Sequence, residues 1–278
     1  MKITRADVLG FCGGVRRAVT MIESAAELGP IYALHAIVHN EHVMARLGEQ
    51  GVILVRSLSE IPDEATVALT AHGATQATLA ALQARELSII DATCPIVRAA
   101  QQTVAGNGRS KRFSIIYGDR GHLEVLGLLS RAPGWAVAAN HVEGVAFPSR
   151  AKLAVLAQTT QSPKCFQAFA EAVSEQIGHD ANLLVQDTTC AEPTARYQAA
   201  AELSERVDVM AVVGSLTSAN TRNLYEICRS NGHPAHFIES ADNIDPSVFA
   251  PYAHIGLTAG ASTPDWVIDS VEERLRQL

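Results

Sequence analysis

Cysteine is the residue type with the strongest chemistry in this sequence, and three of its five cysteines are evenly spaced. Cys12, Cys94 and Cys190 lie at intervals of 82 and 96 residues, and 88 residues follow the last of them. Cys94 and Cys190 each end a strand-like run that closes with Asp-x-Thr-Cys. Because self-similarity at a fixed interval indicates a repeat, the pattern predicts a threefold pseudo-repeat with one thiol in each unit.

Thiols at equivalent places around a pseudo-threefold axis would converge at its centre. Three converging thiolates are soft ligands, which suit an iron-sulfur cluster or a zinc ion. Isolated cysteines are more often buried and unreactive, but the repeated context favours a shared site here. Cys165 and Cys228 fall in helical patterns outside that context, and we expect them to be packing residues.

The composition is that of an ordinary α/β protein. Of 278 residues, 47% are hydrophobic, 18% are charged and 5% are aromatic, and a chain of this size needs more than one core. The net charge of −7 disfavours nucleic acid as a partner, because phosphate backbones require a basic face. An odd cysteine count, no signal peptide and short apolar runs predict a cytoplasmic protein without membrane contact.

Hydrophobic periodicity predicts strands that alternate with helices along almost the whole chain. The predicted strands lie near 2–7, 31–34, 52–55, 66–71, 87–91, 113–117, 135–138, 152–157, 183–187, 208–213, 235–238 and 254–258. The predicted helices lie near 14–27, 75–85, 96–106, 122–131, 164–177, 194–205, 219–231 and 264–276. Such alternation is typical of parallel sheets with right-handed crossovers.

We therefore predict three similar α/β subdomains with small, mostly parallel sheets. The first spans residues 1–95 and contains Cys12, and the second spans 96–188, with Cys94 at its start. The third spans 189–278 and begins just before Cys190.

Polar residues cluster where the predicted strands end, and in open α/β sheets this is where ligands bind. The segments are 10–14, 71–73, 93–95, 118–124, 158–160, 189–190, 214–220 and 258–262. Several precede predicted helices, whose N-termini offer free N–H groups and a positive dipole end to anions. The pattern predicts a small phosphorylated ligand.

Each of these residues also has a purely structural interpretation. Ser218, Asn220 and Ser262 are suited to helix N-caps. Glu124 is suited to the first turn of a helix, where a carboxylate interacts well with the dipole and needs no catalytic role. Taken singly, the histidines are core or loop residues.

Nine motifs occur in the order in which one known family carries them. They are Gly10-Phe-Cys-Gly-Gly-Val15, Val38-His-Asn40, Ala71-His-Gly73, Asp91-Ala-Thr-Cys-Pro95, His122-x-Glu-Val125, Gln158-Thr-Thr160, Asp187-Thr-Thr-Cys190, Val213-Gly-Ser215 with Ser218 and Asn220, and Thr258-Ala-Gly-Ala-Ser-x-Pro-Asp265. Together they resemble the 4-hydroxy-3-methylbut-2-enyl diphosphate reductase family, the last enzyme of the methylerythritol phosphate route to isoprenoids. The resemblance spans nearly the whole chain.

The resemblance implies a trefoil of three α/β domains around a central [4Fe-4S] cluster. It implies that Cys12, Cys94 and Cys190 each bind one iron, which leaves the fourth iron open to act as a Lewis acid on a substrate oxygen. The implied oxidoreductase reaction removes an allylic hydroxyl with two electrons and two protons, and it yields isopentenyl and dimethylallyl diphosphates. A protein such as ferredoxin or flavodoxin would supply the electrons.

The resemblance also implies roles for individual side chains. Glu124 would be the acid that protonates the leaving hydroxide, and Thr160 and His122 would hydrogen-bond the hydroxyl end of the substrate. A second group would hold the diphosphate with side-chain donors and helix-terminal N–H groups. Its members are His39, His72, Ser218, Asn220 and Ser262.

The chain departs from the family pattern at several motifs without losing a cluster ligand or the acid. Leu123 stands where the family usually has proline, Leu216 where it has lysine, and Ala219 where it has the second of two serines. After the third cysteine, Glu192-Pro193 replaces Ala-Thr, and Arg196-Tyr197 replaces Arg-Gln. The change at Ala219 removes a hydroxyl donor and predicts a weaker hold on the diphosphate.

Three alternatives remain open at this point. A zinc hydrolase would use the cysteines, or a cysteine and histidine set, to bind zinc. A divergent paralogue would apply the same cluster chemistry to another allylic alcohol or diphosphate. A sensor that carries a cluster without catalysis is disfavoured, because Glu124 and Thr160 are retained.

Overall fold

The computed structural model describes residues 1–38, 40–143, 145, 148, 152–178, 182–216, 218–230 and 232–278, and for residue 219 the backbone alone. Its twelve described strands form three four-stranded parallel sheets. Each strand predicted from the sequence is present, within a few residues of its predicted ends. The predicted α/β class with small parallel sheets is confirmed.

The first sheet has the strand order β3-β2-β4-β5. Its strands are β2 (Ile31–Ala33), β3 (Val52–Leu54), β4 (Thr66–Leu69) and β5 (Ser88–Asp91). The helices between them are α2 (Glu41–Glu49), a 3-10 turn at Leu58–Glu60 and α3 (Gln76–Ala84). Val67 and Leu69 of β4 pack with Leu82 of α3, so this connection is a β-α-β crossover built on one apolar face.

The second sheet has the order β7-β6-β8-β9. Its strands are β6 (Arg112–Tyr117), β7 (Ala136–Ala139), β8 (Lys152–Ala157) and β9 (Leu183–Gln186). The helices are α4 (Pro95–Arg109), α5 (Leu123–Leu129) and α6 (Pro163–Ile177). Ile115 packs with Phe166 and Phe169 of α6, whereas its neighbour Ile116 packs with Val104 of α4 and Val125 of α5. Alternate strand residues thus serve opposite faces, as the pleat requires.

The third sheet has the order β11-β10-β12-β1. Its strands are β1 (Lys2–Arg5), β10 (Val209–Val213), β11 (Ala235–Ile238) and β12 (His254–Ala259). The accompanying helices are α1 (Gly13–Ala26), α7 (Ala191–Ser204), α8 (Ala219–Ser230), a 3-10 turn at Ala241–Asn243, α9 (Pro246–Phe249) and α10 (Asp265–Arg276). Leu203 of α7 and Leu224 of α8 pack on one face with Met210, and Val271 of α10 lies in the core of the other face.

All three sheets share one spatial order, in which the four strands of a repeat lie as second, first, third and fourth. In the third sheet β1 occupies the place of the fourth strand, because it pairs with β12 from Lys2 opposite His254 to Arg5 opposite Leu257. The chain therefore begins with the strand that completes its last repeat. The predicted boundaries of 1–95, 96–188 and 189–278 stay a prediction.

The chain divides into two compact units. One comprises Met1–Glu23, Ala36–Gly51 and Ala191–Leu278 and contains the third sheet, and the other comprises Ser24–His35 and Val52–Cys190 and contains the first and second sheets. Within the described residues, no helix is long and apolar enough to cross a membrane.

Among the helices of more than two turns in the described part of the chain, α2 is the one that periodicity failed to predict. It has nine residues, of which Val43 and Leu47 are buried, and two apolar positions are too few for a periodic signal. Asn40 begins this helix, because its side-chain oxygen accepts the Val43 N–H at 3.1 Å. An asparagine at this position is a typical N-cap, and it was the signal from which the start of α2 could have been predicted.

Candidate functional site

The three evenly spaced cysteines occupy the same place in the three repeats. Cys12 lies between β1 and α1, Cys94 between β5 and α4, and Cys190 between β9 and α7. Each therefore follows the fourth strand of its sheet and precedes a helix, and each is partly buried. The similar intervals in the sequence reflect this topological equivalence.

The backbone of each cysteine makes the same hydrogen bond. Its N–H donates to the carbonyl oxygen of the residue two places beyond the end of the neighbouring third strand. The acceptors are Ala261 for Cys12 at 3.3 Å, Ala71 for Cys94 at 3.0 Å and Thr159 for Cys190 at 2.7 Å. The residues that follow these acceptors are Ser262, His72 and Thr160, so three predicted site residues also hold equivalent positions.

The Cys12 thiol lies at the start of α1, where its Sγ accepts the Val15 N–H at 3.4 Å. Burial raises the pKa of this thiol, and the Glu192 carboxylate adds to that effect, whereas the Val15 N–H and the Arg196 guanidinium oppose it. Arg196 is only 1% exposed and donates to the Gly10 carbonyl oxygen at 2.8 Å. A buried cation thus supports the loop that carries Cys12.

Three partly buried thiols are a donor set that fits an iron-sulfur cluster. Soft thiolates are its usual ligands, and the positive charge of bound iron would offset the burial that disfavours the Cys12 thiolate. In the ranges that the structure describes, no group of three His, Cys, Asp or Glu side chains is placed to hold a single metal ion. A four-iron cluster does not need such a group, because each cysteine binds a different iron.

The other two cysteines differ from these three. Cys228 is buried in the core between α7, α8 and the third sheet, in agreement with a packing residue. Cys165 is exposed on the first turn of α6. The packing prediction for Cys165 was wrong, because this residue is exposed.

Glu124 is a carboxyl buried in the second repeat, with 1% of its surface exposed. It lies in the first turn of α5, where His122 is the N-cap and accepts the Glu124 N–H with Nδ1 at 3.2 Å. Its carboxylate accepts the Thr159 N–H at 2.6 Å and the Thr159 O–H at 3.1 Å. Burial raises the pKa of Glu124 to about 7, and the two bonds from Thr159 oppose that rise.

A carboxyl with a pKa near 7 carries a proton through much of the neutral range and can act as a general acid. Thr159 orients it, although the sequence singled out the adjacent Thr160. The Thr160 hydroxyl instead accepts the Gln158 Nε2 amide at 3.0 Å. The motif contains two neighbouring threonines, and the sequence alone could not predict which of them contacts Glu124.

His72 and His122 lie side by side in the compact unit that contains the first and second sheets. Their rings meet edge to face, with centroids 5.1 Å apart and an interplanar angle of 83°. The Thr70 hydroxyl oxygen lies 3.4 Å from His72 Nδ1. The two histidines that the resemblance assigns to opposite ends of the substrate are therefore direct neighbours, and His72 stands next to the acid's N-cap.

A second group of predicted residues lies in the third repeat, around the N-terminus of α8. Ser218 accepts the Thr221 N–H at 3.3 Å, so its structural interpretation as an N-cap applies. The side-chain oxygen of Asn220 accepts the Ala261 N–H at 3.1 Å, and its amide donates to the Tyr197 hydroxyl at 3.0 Å. Ser262 follows directly and is largely buried.

Close packing around Thr221 requires glycine at the end of β10. Gly214 has φ of +145°, and a Cβ there would lie 2.7 Å from Thr263 Oγ1 and 2.9 Å from the Thr221 methyl. The loop that follows is held through Leu216, whose N–H donates to Glu239 at 3.1 Å and whose carbonyl accepts from Arg222 at 2.7 Å. The Leu216 side chain is exposed.

His39 lies outside the described residues. Its neighbour Asn40 caps α2, and this cap occupies the same place in the first repeat as His122 in the second and Ser218 in the third. Each caps the helix that follows the first strand of its sheet.

Comparison with known proteins agrees with the motifs. The model of the LytB protein family matches residues 3–276. The 4-hydroxy-3-methylbut-2-enyl diphosphate reductase of Geobacter metallireducens is 39% identical over 280 residues, which cover 100% of this chain and 98% of the relative. The enzyme of the same name from Dehalococcoides mccartyi is 39% identical over 282 residues and is covered to 99%.

Solved structures agree as well. One of (E)-4-hydroxy-3-methyl-but-2-enyl diphosphate reductase, described as the terminal enzyme of the non-mevalonate pathway, matches with a TM-score of 0.80 at 31% identity and covers 100% of this chain and 99% of its own. The E-1-hydroxy-2-methyl-but-2-enyl-4-diphosphate reductase of Plasmodium falciparum matches with a TM-score of 0.87 at 27% identity, over 98% of this chain and 87% of its own. This chain therefore belongs to the LytB protein family.

Proposed function

We propose that this protein reductively removes the hydroxyl of 4-hydroxy-3-methylbut-2-enyl diphosphate, giving isopentenyl and dimethylallyl diphosphates. Cys12, Cys94 and Cys190 would hold a [4Fe-4S] cluster. One observation carries the proposal: three cysteines follow the fourth strand of three like-ordered sheets and repeat one backbone hydrogen bond. Relatives that cover the whole chain have the corresponding name.

The cluster, when bound, supplies electrons and an open Lewis-acidic iron for the leaving oxygen. The chain's own part in this step is to present three thiolates. Helix N-terminal N–H groups favour a thiolate electrostatically, and each of the three cysteines directly precedes a helix.

Glu124 would donate the proton that the leaving oxygen requires. Because burial raises its pKa to about 7, a substantial fraction of the carboxyl carries a proton at neutral pH, and the two Thr159 bonds stabilise the carboxylate that remains after donation. His122 accepts the Glu124 N–H with Nδ1, so in the neutral ring the proton lies on Nε2. His122 would thereby present a donor to the hydroxyl end of the substrate, with Thr160 as a second hydroxyl.

The diphosphate would be bound by neutral or cationic side-chain donors and by a helix terminus. Ser218, Asn220 and Ser262 surround the N-terminus of α8, whose N–H groups and dipole favour anions. His72 and His39 complete the proposed set. A small one-electron carrier protein such as ferredoxin or flavodoxin would deliver the electrons in two successive steps.

Anaerobic purification followed by a visible spectrum, iron and sulfide analysis and a turnover assay tests the proposal. We expect a brown protein with about four irons per chain that reduces the diphosphate when a low-potential dye donates electrons. A colourless protein that contains zinc would favour the hydrolase instead. A loaded cluster that reduces an undiphosphorylated allylic alcohol better than the diphosphate would contradict the proposed substrate.

A further inference from the structure

Tyr197 contacts the proposed diphosphate site from α7. Its ring is partly buried against the core that includes Ala200 and Leu203 of the same helix. Its hydroxyl accepts a hydrogen bond from the Asn220 amide at 3.0 Å. The ring is therefore positioned by apolar packing, while the hydroxyl reaches the first turn of α8.

The Tyr197 hydroxyl has a proton that its bond to Asn220 does not use. The Asn220 oxygen is engaged by the Ala261 N–H, which fixes the amide so that its nitrogen faces Tyr197. A phenol oxygen that accepts this bond keeps its own O–H as a donor. Among the residues that the structure describes, none accepts that proton.

The sequence differs from the family pattern at two places next to Asn220. Position 219 holds alanine in place of the usual second serine, and position 197 holds tyrosine in place of glutamine. The chain therefore lacks a serine hydroxyl at position 219, directly before Asn220. It has instead the Tyr197 hydroxyl, which is hydrogen-bonded to the Asn220 side chain.

We propose that the Tyr197 hydroxyl is a further substrate ligand that donates to a diphosphate oxygen and replaces the hydroxyl that Ala219 lacks. The inference rests on the proposed function, since it concerns the same diphosphate site. A neutral phenol suits this place because it adds a donor to an anion site without adding a charge that must be desolvated. The Tyr197 hydroxyl contacts the Asn220 side chain, and Asn220 in turn contacts Ala261, the residue before Ser262.

The test measures binding of inorganic diphosphate by calorimetry and steady-state kinetics with the proposed substrate. A hydrogen bond to a charged group contributes enough that Tyr197→Phe should weaken diphosphate binding about tenfold to a hundredfold. The Michaelis constant should rise by a similar factor, with little change in the maximal rate. Tyr225→Phe is the matched control, because Tyr225 lies on α8, packs against Phe237 and makes no hydroxyl hydrogen bond within the described ranges.

The decisive variant combines Tyr197→Phe with Ala219→Ser. If one hydroxyl replaces the other, the added serine should restore most of the lost affinity in this double variant and improve the wild-type protein less. Cluster absorbance and the thermal midpoint identify a variant that has merely lost its fold, and Tyr197→Leu, which also lacks a side-chain donor, then provides a second test.

Two results would overturn the inference: diphosphate binding by Tyr197→Phe equal to that of Tyr225→Phe, or no recovery on adding the serine. Failure of the proposed function is a separate result. It would appear as an intact wild-type protein that does not reduce the substrate, whereas binding of inorganic diphosphate requires no turnover.

Discussion

The second and third repeats carry one hydrogen-bonded framework with different side chains at its centre. In the second repeat the Cys190 N–H donates to the Thr159 carbonyl, and the Thr159 N–H donates to the side chain of Glu124. In the third repeat the Cys12 N–H donates to the Ala261 carbonyl, and the Ala261 N–H donates to the side chain of Asn220.

Glu124 and Asn220 each stand two residues after the N-cap of the helix that follows the first strand. The carboxyl is buried and holds a proton to about pH 7, whereas the amide never titrates and offers a donor from its nitrogen. A single backbone arrangement thus supports an acid in one repeat and a neutral contact for an anion in the other. The side chain alone decides the chemistry.

The largest effect, a loss of iron, should follow from replacing the cysteine that each repeat contributes to the shared hydrogen-bonding pattern. Replacing Cys12, Cys94 or Cys190 by serine should strip most of the iron, because a thiolate ligand is lost. Cys165→Ser and Cys228→Ser serve as controls and should keep it. Iron analysis and the visible spectrum measure the effect, and full iron content in any of the first three variants would refute a shared cluster.

Glu124→Gln copies the amide of the third repeat into the second. Glutamine can still accept the Thr159 N–H, so the fold and the diphosphate affinity should persist, but no acid proton remains. Turnover should fall by about 10² to 10⁴, the usual contribution of general acid catalysis, with an unchanged diphosphate dissociation constant. Equal turnover in the variant and the wild type would exclude Glu124 as the acid.

The same variant should change how stability depends on pH. A carboxyl whose pKa is raised from 4.5 to about 7 on folding binds its proton more tightly in the folded state, so stability falls as pH rises from about 4.5 to 7 and then levels. The loss amounts to about 3 kcal/mol. Urea unfolding of the metal-free proteins at pH 5 and pH 8 should show this loss in the wild type and not in Glu124→Gln.

Asn220→Asp makes the reverse exchange and adds a negative charge to the proposed anion site. Repulsion between like charges a few ångströms apart should weaken diphosphate binding by about tenfold or more. The maximal rate should change much less than in Glu124→Gln. Calorimetry with inorganic diphosphate measures this effect, and unchanged affinity would place the diphosphate away from α8.

The smallest expected effect separates the two threonines that follow Gln158. Thr159→Val removes one hydrogen bond to the Glu124 carboxylate, so the pKa of Glu124 should rise further, by about one unit. The pH profile of turnover should move upward by the same amount. Thr160→Val is the matched control and should leave the profile in place, because Thr160 bonds Gln158 and not Glu124.

The sequence alone determined the strands and the cysteine repeat. Parallel strands buried by helices on their faces need continuous apolar runs, and such runs are legible without a structure. The Asp-x-Thr-Cys motif that ends at Cys94 and Cys190 can also be recognised in the sequence, because each copy forms the same strand-to-helix turn.

Tertiary structure decided which neighbours these residues meet. Pairing of β1 with β12 closes the third repeat from the far end of the chain, and no local pattern encodes that partner. Likewise, Thr159 rather than Thr160 reaches Glu124, and Tyr197 reaches Asn220 from 23 residues away. Periodicity reports the face on which a side chain lies, whereas such contacts depend on how separate strands and helices are brought together.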